Sequence, residues 1–386
     1  MTHTHILLLM NMPNQYNYRR KKKHKWTVEI VAAVIALLLM ACAYSGDIDP
    51  QRFFLAPFMV LAFAPMLLVA LVMLLVALLK RRWLAITAIL AALLVSVPVI
   101  KVFVPLNTSE NRPPIPADTT MILKVMTYNV LAFNYNEPVL SNVPSASMKL
   151  ILDAGPDVVL LQEGSCRGID WDEVPSLKPY LNEMKSRYPY RYESSEGLSI
   201  MSRYPFTTVP IGESQYSRSV LGYDRNQSSY LARAYDLRLP NGKQLRIVDF
   251  RLQSYHLSFG KNMSVRVSPD DKPSALERMR RSFALRGNNA AALRSAIDNS
   301  PANVIVCGDM NDVPTSHVYR VIKGNDLHDA WAEAGSGYAH TYNRHGLRYR
   351  IDHVFYRGDI VALTAKRLAG GSSDHYPLMV SFDIEN

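Results

Sequence analysis

Hydrophobic residues are distributed along this chain in two different ways, and the change occurs near residue 105. Before that point, three long runs contain almost no charge: residues 26–44, 53–79 and 83–103. Each run approaches or exceeds the roughly 20 apolar residues that a helix needs to cross a bilayer core. A buried core helix is rarely so long and so apolar three times in one chain. The pattern predicts a membrane domain over residues 26–105 with three transmembrane helices.

The rest of the chain alternates short apolar runs with amphipathic stretches. The stretch 106–120 is rich in Pro, Asn, Thr and Ser, which is typical of a linker. Pro240-Asn241-Gly242-Lys243 separates two apolar runs and predicts a β-hairpin. Many short strands with few helices predict mixed sheets covered by helices, in a globular domain over residues 121–386. The predicted strands are Met121–Tyr128, Asp157–Gln162, Leu198–Ser202, Tyr230–Leu239, Gln244–Leu252, Val304–Cys307, Arg350–Tyr356 and Leu378–Ile384, and the predicted helices are Ser145–Ala154, Leu177–Arg187 and Pro273–Asn299.

Basic residues flank the apolar runs unevenly. Residues 19–25 contain six of them, and Lys80-Arg81-Arg82 lies between the second and third runs. The positive-inside rule then predicts that residues 1–25 form a basic cytoplasmic N-terminus. Three crossings place the globular domain on the opposite side, in the periplasm or outside the cell. The chain is therefore expected in the cell (inner) membrane as a multi-pass protein.

The net charge of +10 does not by itself indicate a nucleic-acid-binding surface. Of the 43 Lys and Arg residues, 11 lie in residues 1–105 together with 3 of the 33 Asp and Glu residues. That leaves 32 basic and 30 acidic residues for the remainder, which is nearly neutral. A local basic segment at 254–286 is compatible either with binding phosphate-rich substrates or with an ordinary solvated helix face. Three unpatterned cysteines indicate neither a disulfide framework nor a zinc site. Cys166 and Cys307 are interpreted as small core or near-core residues, with a bridge between them as the alternative.

Candidate chemistry lies at the ends of the predicted strands. Asn129 follows one strand, Gln162-Glu163 another, and Gly308-Asp309-Met310-Asn311 a third. Ile351-Asp352-His353 lies within the predicted strand Arg350–Tyr356, and Ser373-Asp374-His375 comes just before the last strand. Polar groups delivered by rigid strands are a means of building a hydrolytic site for phosphate esters. A hard divalent cation held by carboxylate oxygens would offset the charge of the phosphate, and Mg²⁺ is expected, with Mn²⁺ as the alternative.

The ordered set of these motifs resembles the endonuclease/exonuclease/phosphatase family. The resemblance covers about residues 121–383, and it also includes Gly197-Leu-Ser-Ile-Met-Ser-Arg-Tyr-Pro205. It implies an α/β (α+β) fold, a four-layered α/β sandwich with two packed mixed β-sheets, here preceded by three transmembrane helices. It also implies that the site lies where loops from the two sheets meet.

The resemblance further implies a role for each motif residue. Asp309 resembles the residue that orients or deprotonates the attacking water, and Asn311 resembles the one that holds Asp309 or the phosphate. His375 corresponds to the donor to the phosphoryl oxygen, with protonation of the leaving group as an alternative role. Asp352 resembles the carboxylate that fixes the tautomer of His375. The metal ligands that it implies are Glu163, Asn129 and Asp374. The alternatives without a function are that Glu163 is an exposed carboxylate at a strand end and that Asn129 is a turn residue.

The chain departs from the family pattern at one position. Many members have Asn-x-His-Leu at the end of a middle strand, whereas this chain has Asp249-Phe250-Arg251-Leu252. Arg251 can neutralise a phosphoryl oxygen, but it cannot act as a proton donor. We therefore expect Arg251 to act electrostatically, or the activity to be reduced.

These features predict a membrane-anchored, divalent-metal-dependent phosphoesterase that cuts phosphodiesters by attack of activated water. The expected partners are a lipid bilayer and a phosphate-ester substrate, in the first place a lipid headgroup or a small phosphodiester. The alternatives are an extracytoplasmic nuclease acting on DNA or RNA, and a catalytically weak binding protein of the same fold. No protein partner is predicted.

Overall fold

The structure is a computed structural model, and it describes residues 26–107, 121–136, 139–166, 168–194, 197–209, 211, 232–254, 275–344 and 346–384. The predicted N-terminal segment 1–25, most of the predicted linker 106–120 and residues 255–274 of the basic segment lie outside this part of the chain. The chain divides into two compact units. The helical unit comprises the residues up to Tyr44 together with Leu61–Pro98, and the sheet unit comprises Ser45–Val60 together with the residues from Val99 onward.

Apolar helices cover the first hundred residues. Among the described residues, two of them, Thr27–Asp47 and Trp83–Phe103, are long and apolar enough to cross a membrane by length and composition. The helix Phe63–Leu79 is shorter, with 17 residues. The prediction of one continuous helix over 53–79 is wrong, because a separate helix, Ala56–Leu61, precedes it. Pro65 explains the break, since proline has no N–H to donate to the carbonyl four residues earlier and its ring clashes with that carbonyl.

Two six-stranded sheets form the body of the sheet unit, and each contains one parallel pair of strands. The first sheet has the order β13-β14-β1-β2-β4-β3, with β1 parallel to β2, and the second has the order β5-β6-β7-β8-β12-β9, with β7 parallel to β8. The hairpin β10-β11 forms a separate two-stranded sheet. The strands are β1 Ile122–Asn129, β2 Val158–Gln162, β3 Tyr190–Tyr192, β4 Ser199–Ser202, β5 Phe206–Val209, β6 Ala232–Arg238, β7 Gln244–Arg251, β8 Val304–Asp309, β9 His328–Asp329, β10 Tyr342–Arg344, β11 Leu347–Tyr349, β12 Asp352–Arg357, β13 Ile360–Arg367 and β14 Leu378–Ile384.

Side chains that alternate along the strands build three apolar layers between four layers of structure. Leu123 and Val125 of β1 meet Ile305 and Cys307 of β8 between the two sheets. The opposite face of the first sheet packs against the helices Ala146–Ala154 and Leu181–Arg187, and the opposite face of the second packs against Ala275–Asp298 and His317–Lys323. A further short helix, Ala330–Ala334, follows β9. The predicted fold class, a four-layered α/β sandwich with two packed mixed sheets, is confirmed.

One local prediction differs from the structure, and one open alternative is decided by it. The predicted helix Leu177–Arg187 is a 3₁₀ turn, Lys178–Tyr180, followed by the helix Leu181–Arg187. Pro179 in the first turn accounts for this change. Cys166 and Cys307 are both buried free thiols, so the bridge between them does not form.

The segment Ser45–Val60 belongs to the sheet unit. It joins the first two apolar helices and contains a 3₁₀ turn, Ser45–Asp47, and most of the helix Ala56–Leu61. Asp47 pairs with Arg320 at 3.0 Å, and the Gln51 amide donates a hydrogen bond to Asn288 at 3.0 Å. Phe58 makes an edge contact with Phe283, with ring centroids 5.2 Å apart. The segment Ser45–Val60 therefore docks on the helices that cover the second sheet.

Alanine in place of Gly46 is expected to lower the melting temperature of the protein. A Cβ atom at Gly46 would lie 1.8 Å from the carbonyl oxygen of Thr315, and this backbone contact can be relieved only by moving the loop. Overpacking of this kind costs about 1–3 kcal/mol. Thermal unfolding of the full-length protein in detergent measures the change. Gly287→Ala is the matched control, because its Cβ atom meets nothing within 4 Å and alanine favours the helix. Equal melting temperatures for Gly46→Ala and wild type would contradict the docked position of the loop.

Candidate active site

Strand register brings the predicted residues to one edge of the two sheets. In the first sheet, the parallel pairing of β1 and β2 places Asn129 opposite Gln162. In the second sheet, Asp309 lies opposite Arg251 on one side and opposite Asp352 on the other. Because parallel strands end on the same side of a sheet, the polar residues that follow them are collected there.

Asn129 connects the two sheets. It is 1% exposed, and its side-chain N–H group donates to Glu163 Oε1 at 3.0 Å and to Asp309 Oδ2 at 3.1 Å. Its Oδ1 atom accepts from the backbone N–H of Leu131 at 3.2 Å. Both ends of the amide are thereby engaged, which fixes the position of Asn129 between the carboxylates.

Asp309 and Asn311 form a rigid local pair. The backbone N–H of Asn311 donates to Asp309 Oδ1 at 2.9 Å, and its Nδ2 atom donates to Asp309 Oδ2 at 3.0 Å and to the Leu252 carbonyl at 2.9 Å. Asn311 has a φ of 52°, in the left-handed region that asparagine tolerates better than most residues. A Cβ atom at Gly308 would lie 1.9 Å from the Phe250 carbonyl oxygen, which explains the glycine before Asp309.

His375 lies between two carboxylates. Its Nδ1 atom is 2.9 Å from Asp352 Oδ2, and its Nε2 atom is 3.9 Å from Asp309 Oδ2. The Thr341 hydroxyl oxygen accepts from the backbone N–H of Asp352 at 3.0 Å. The Ser373 hydroxyl accepts from the backbone N–H of His375 at 3.1 Å. The histidine is therefore held by its neighbours on both sides of the ring.

The pKa values of His375 and Asp309 are both raised, but for different reasons. Burial lowers the pKa of His375, but the nearby carboxylates of Asp352 and Asp309 outweigh burial and raise it to about 10. The imidazole is then protonated at neutral pH and can donate from Nε2. Burial raises the pKa of Asp309 to about 6, and Asp352 adds to the increase while His375 and Arg251 oppose it. A carboxylate whose pKa lies near neutrality is suited to accept a proton.

Arg251 contacts Glu163 directly. Its Nη2 atom lies 2.6 Å from Glu163 Oε1. Burial raises the pKa of Glu163, but Arg251 and the Asn129 amide outweigh burial, so the pKa is lowered overall and the carboxylate stays ionised. Glu163 has a φ of 51°, so the chain turns sharply at this residue as β2 ends.

Seven of the eight predicted residues form one connected network, and Asp374 is the exception. Of the two carboxylates among the predicted metal ligands, Glu163 contacts Asn129 and Arg251 inside the network. The other, Asp374, pairs through Oδ2 with Arg344 at 3.2 Å. Asp374 is the neighbour of His375 in the chain, and its charge contributes to the raised pKa of His375.

The donor set fits a hard divalent cation. Carboxylate oxygens of Asp309 and Asp352 and a ring nitrogen of His375 lie within 4.8 Å of one another. His375 is a poor ligand here, because Nδ1 is hydrogen-bonded and the ring is protonated. The oxygen donors of Glu163, Asn129, Asp352 and Asp374 are the kind that Mg²⁺ and Mn²⁺ prefer. In the described part of the chain, Asp352 Oδ1 is buried without a hydrogen-bond partner, which marks an acceptor that a cation could satisfy.

Sequence reasoning did not identify several residues that support the site. Thr341 and Ser373 anchor Asp352, His375 and Asn129 through hydrogen bonds. The Gln162 amide donates to Asp249, a fully buried carboxyl whose pKa burial raises well above its ordinary value. Ser373 stands in the Ser-Asp-His motif and could have been found there, whereas no sequence pattern marks Thr341.

Solved structures with related folds have low similarity to this chain. The human Nocturnin catalytic domain is 18% identical and covers 68% of this chain and 94% of its own, with a TM-score of 0.45. An endonuclease/exonuclease/phosphatase family protein from Bacteroides thetaiotaomicron is 14% identical, with 69% and 98% covered and a TM-score of 0.44. A mannosyl-6-phosphatase from the same organism is 16% identical, with 67% and 99% covered and a TM-score of 0.43. At these identities and scores, nothing about the substrate of this chain follows from the three proteins.

Family models match both parts of the chain. A domain of unknown function (DUF8431) matches residues 25–103, and no curated protein matches the chain. The model of the Endonuclease/Exonuclease/phosphatase family matches residues 126–375, and its members are hydrolases of phosphoester bonds that generally depend on divalent metals. These matched residues include every predicted site residue, from Asn129 to His375. The chain therefore belongs to the endonuclease/exonuclease/phosphatase family.

Proposed function

We propose that this chain is a membrane-anchored phosphodiesterase that uses Mg²⁺ or Mn²⁺ and acts on a lipid headgroup or another small phosphodiester. The observation that carries the proposal is the convergence of Asp309, His375 and Asp352 beside Asn129 and Glu163 at one edge of two packed sheets. Hydrolysis of a phosphodiester requires a water nucleophile, a proton acceptor and donors to the phosphoryl oxygens, and this edge contains candidates for each.

The proposed mechanism assigns each chemical task to a residue. Asp309, held by Asn311, orients the attacking water and accepts its proton. Protonated His375, held by Asp352, donates from Nε2 to a phosphoryl oxygen and stabilises the charge that develops there. As the water oxygen bonds to phosphorus, the bond from phosphorus to the alcohol oxygen of the leaving group breaks, and that oxygen takes up the His375 proton. Arg251 adds a fixed positive charge near Glu163.

A divalent cation held here would neutralise further charge on the phosphate. We assign its ligands to Glu163, Asn129 and Asp374. Arg251 would compete electrostatically with such a cation for Glu163, since its guanidinium already pairs with that carboxylate.

Membrane anchoring is part of the same proposal. Two helices long and apolar enough to cross a bilayer, together with the shorter helix Phe63–Leu79, support it. The loop Ser45–Val60 and the chain from Val99 onward belong to one compact unit, so they are expected on the same side of the bilayer. With the basic residues 19–25 in the cytoplasm, the sheet unit would lie in the periplasm or outside the cell.

Hydrolysis by the full-length protein in detergent tests the proposal. Bis-p-nitrophenyl phosphate is expected to be hydrolysed with Mg²⁺ or Mn²⁺, and turnover is expected to fall to background in EDTA and to return when the metal is restored. A parallel panel of sphingomyelin, glycerophospholipids, plasmid DNA and RNA ranks the substrates. Preferential degradation of DNA or RNA would replace the lipid version by the nuclease alternative. Folded protein that hydrolyses none of them would favour the catalytically weak binding protein.

A further inference from the structure

A buried arginine, Arg286, contacts the two loops that leave β7 and β8 at the candidate active site. It lies on the 24-residue helix over the second sheet, and its side chain is 0% exposed. Its Nη1 atom donates to the Gln253 carbonyl at 3.1 Å, and its Nε atom lies 3.6 Å from Asp312 Oδ2. Gln253 comes two residues after Arg251, and Asp312 comes directly after Asn311. One guanidinium therefore joins both loops.

The two loops are also bonded to each other. The backbone N–H of Leu252 donates to the Asp309 carbonyl at 2.9 Å, and Asn311 Nδ2 donates to the Leu252 carbonyl at 2.9 Å. On the other side, the Asp312 carbonyl lies 3.2 Å from His353 Nε2. Burial lowers the pKa of His353 to about 3, so its neutral ring donates from Nε2 to this carbonyl. A displacement of one loop would therefore displace the other.

Stability alone does not account for the pair that Arg286 forms with Asp312. The side chain of Asp312 is 4% exposed, and burial raises the pKa of its carboxyl while Arg286 opposes the increase. Both charges have thus been removed from water. Apolar residues in place of such a buried pair are often neutral or stabilising. A role in fixing the position of the loops is consistent with the cost of burying the two charges.

The segment Ser45–Val60 packs over this arginine. The Arg286 guanidinium lies 4.9 Å from the ring centroid of Phe283, and that ring meets Phe58 of the segment edge to face. The segment also lines a cavity together with Asp312. This packing restricts the guanidinium to one position, from which it can hold the two loops at a fixed separation.

We propose that Arg286 is a positioning residue for phosphoester hydrolysis, which holds the loop after Arg251 and the loop after Asp309 at the separation that the reaction requires. Arg286 acts through the Gln253 carbonyl and the Asp312 carboxylate. The inference rests on the proposed function, because these loops are joined to the proton acceptor and to the fixed positive charge of the site.

Methionine in place of Arg286 tests the inference in the full-length protein in detergent. For bis-p-nitrophenyl phosphate, kcat per active site is expected to fall about 10²-fold, the loss that a misplacement of about 1 Å causes. Titration calorimetry with orthovanadate and Mg²⁺ gives the number of sites and their Kd, since orthovanadate resembles the phosphoryl group in the transition state. We expect an unchanged number of sites and a Kd raised about tenfold. Partial unfolding would instead reduce the number of sites at an unchanged Kd.

Arg294→Met is the matched control. Arg294 lies on the same helix as Arg286, pairs with Asp326 at 2.9 Å and donates to the Ile322 carbonyl at 3.1 Å. Ile322 is at the C-terminal end of the helix His317–Lys323, whereas the N-terminal end follows the loop after β8. Arg294→Met therefore removes the same kinds of contact, and we expect it to keep the wild-type kcat and Kd.

A double variant, Arg286→Met/Asp312→Asn, separates positioning from stability and replaces the single variant if that one does not fold. It leaves no buried carboxylate without a cation, so it is expected to unfold at a higher temperature than Arg286→Met while kcat and Kd stay impaired. Wild-type kcat and Kd in the double variant would overturn the inference and leave the proposed function intact. If the wild type hydrolyses no diester, the proposed function fails and the orthovanadate Kd decides. An equal Kd in wild type and Arg286→Met, or no binding by the wild type, would then overturn the inference.

Discussion

Asparagine in place of Asp309 is expected to lower kcat about 10³-fold, with a much smaller change in KM. General acid–base catalysis by a positioned side chain contributes roughly 10²- to 10⁴-fold, and asparagine cannot accept the proton of the attacking water. Arg251 and the cation would still bind the phosphate, so the loss should appear mainly in kcat. The measurement is metal-dependent hydrolysis of bis-p-nitrophenyl phosphate by full-length protein at pH 7.

A double variant makes this prediction sharper. His375→Gln alone is expected to cause a loss similar to that of Asp309→Asn. The two residues lie 3.9 Å apart and serve one proton-transfer network, so the double variant should lose little more than the worse single variant. Asp153→Asn is the matched control, because this carboxylate is exposed and its ion pair in the described part of the chain is with the exposed Lys149. An Asp309→Asn variant that keeps more than about a tenth of wild-type kcat would remove Asp309 from water activation.

Methionine in place of Arg350 is expected to destabilise the sheet unit by about 3–5 kcal/mol, the usual loss when one partner of a buried ion pair is removed. Arg350 and Asp329 are each 1% exposed at their side chains, with Arg350 Nη1 at 3.2 Å from Asp329 Oδ2. The Nη2 atom of Arg350 also donates to the Val102 carbonyl at 2.7 Å, near the end of the helix Trp83–Phe103. The substitution therefore leaves both a buried carboxylate and a helix-terminal carbonyl without this cation.

The pH of the measurement follows from the carboxylate. Burial raises the pKa of Asp329, but Arg350 and the hydrogen bond from Tyr319 outweigh burial and hold it below its ordinary value. The folded-state pKa is thus depressed, so the stabilisation is complete above the unfolded-state pKa and is lost as the pH falls through the folded-state pKa. Denaturant unfolding at pH 7 measures the full effect.

Two further variants identify the cause of the loss. Asp329→Asn added to Arg350→Met is expected to recover part of the stability, because no charge then remains buried without a partner. Lys149→Met is expected to change stability very little, since Lys149 and Asp153 form an exposed pair, with both side chains 61% exposed. If Arg350→Met and Lys149→Met both gave the same unfolding midpoint as wild type, the buried Arg350–Asp329 pair would not stabilise the sheet unit.

The arrangement of Arg251 also bears on the family pattern. Sequence comparison with the family places Arg251 where many members have histidine, and this substitution raised the alternative of reduced activity. In the structure, Arg251 lies between Glu163 and the strand that carries Asp309. Arginine is permanently charged, whereas the histidine of other members is neutral or titratable. Arg251 is therefore compatible with electrostatic support of the phosphate and with weaker metal binding at Glu163.

Much of the fold and of the candidate site followed from local patterns. The apolar runs before Asn129, Glu163 and Asp309 predicted the central strands, because a buried strand is apolar over its whole length. The Gly-Asp-x-Asn and Ser-Asp-His motifs marked the residues that meet at the sheet edge, since each motif requires a specific local backbone. By contrast, the break in the apolar stretch 53–79 depends on a single proline within a run that is otherwise continuous.

The sequence by itself indicated the candidate site residues and their order, and it showed that apolar segments precede the globular domain, because these properties are local. Only the tertiary structure decided that Asn129 joins Glu163 to Asp309, that Arg251 pairs with Glu163, and that Asp374 pairs with Arg344. The contacts between Ser45–Val60 and the rest of the sheet unit likewise could not be predicted from the sequence. These contacts join residues from 30 to more than 200 positions apart. They depend on strand order and register, which the packing of the whole domain selects.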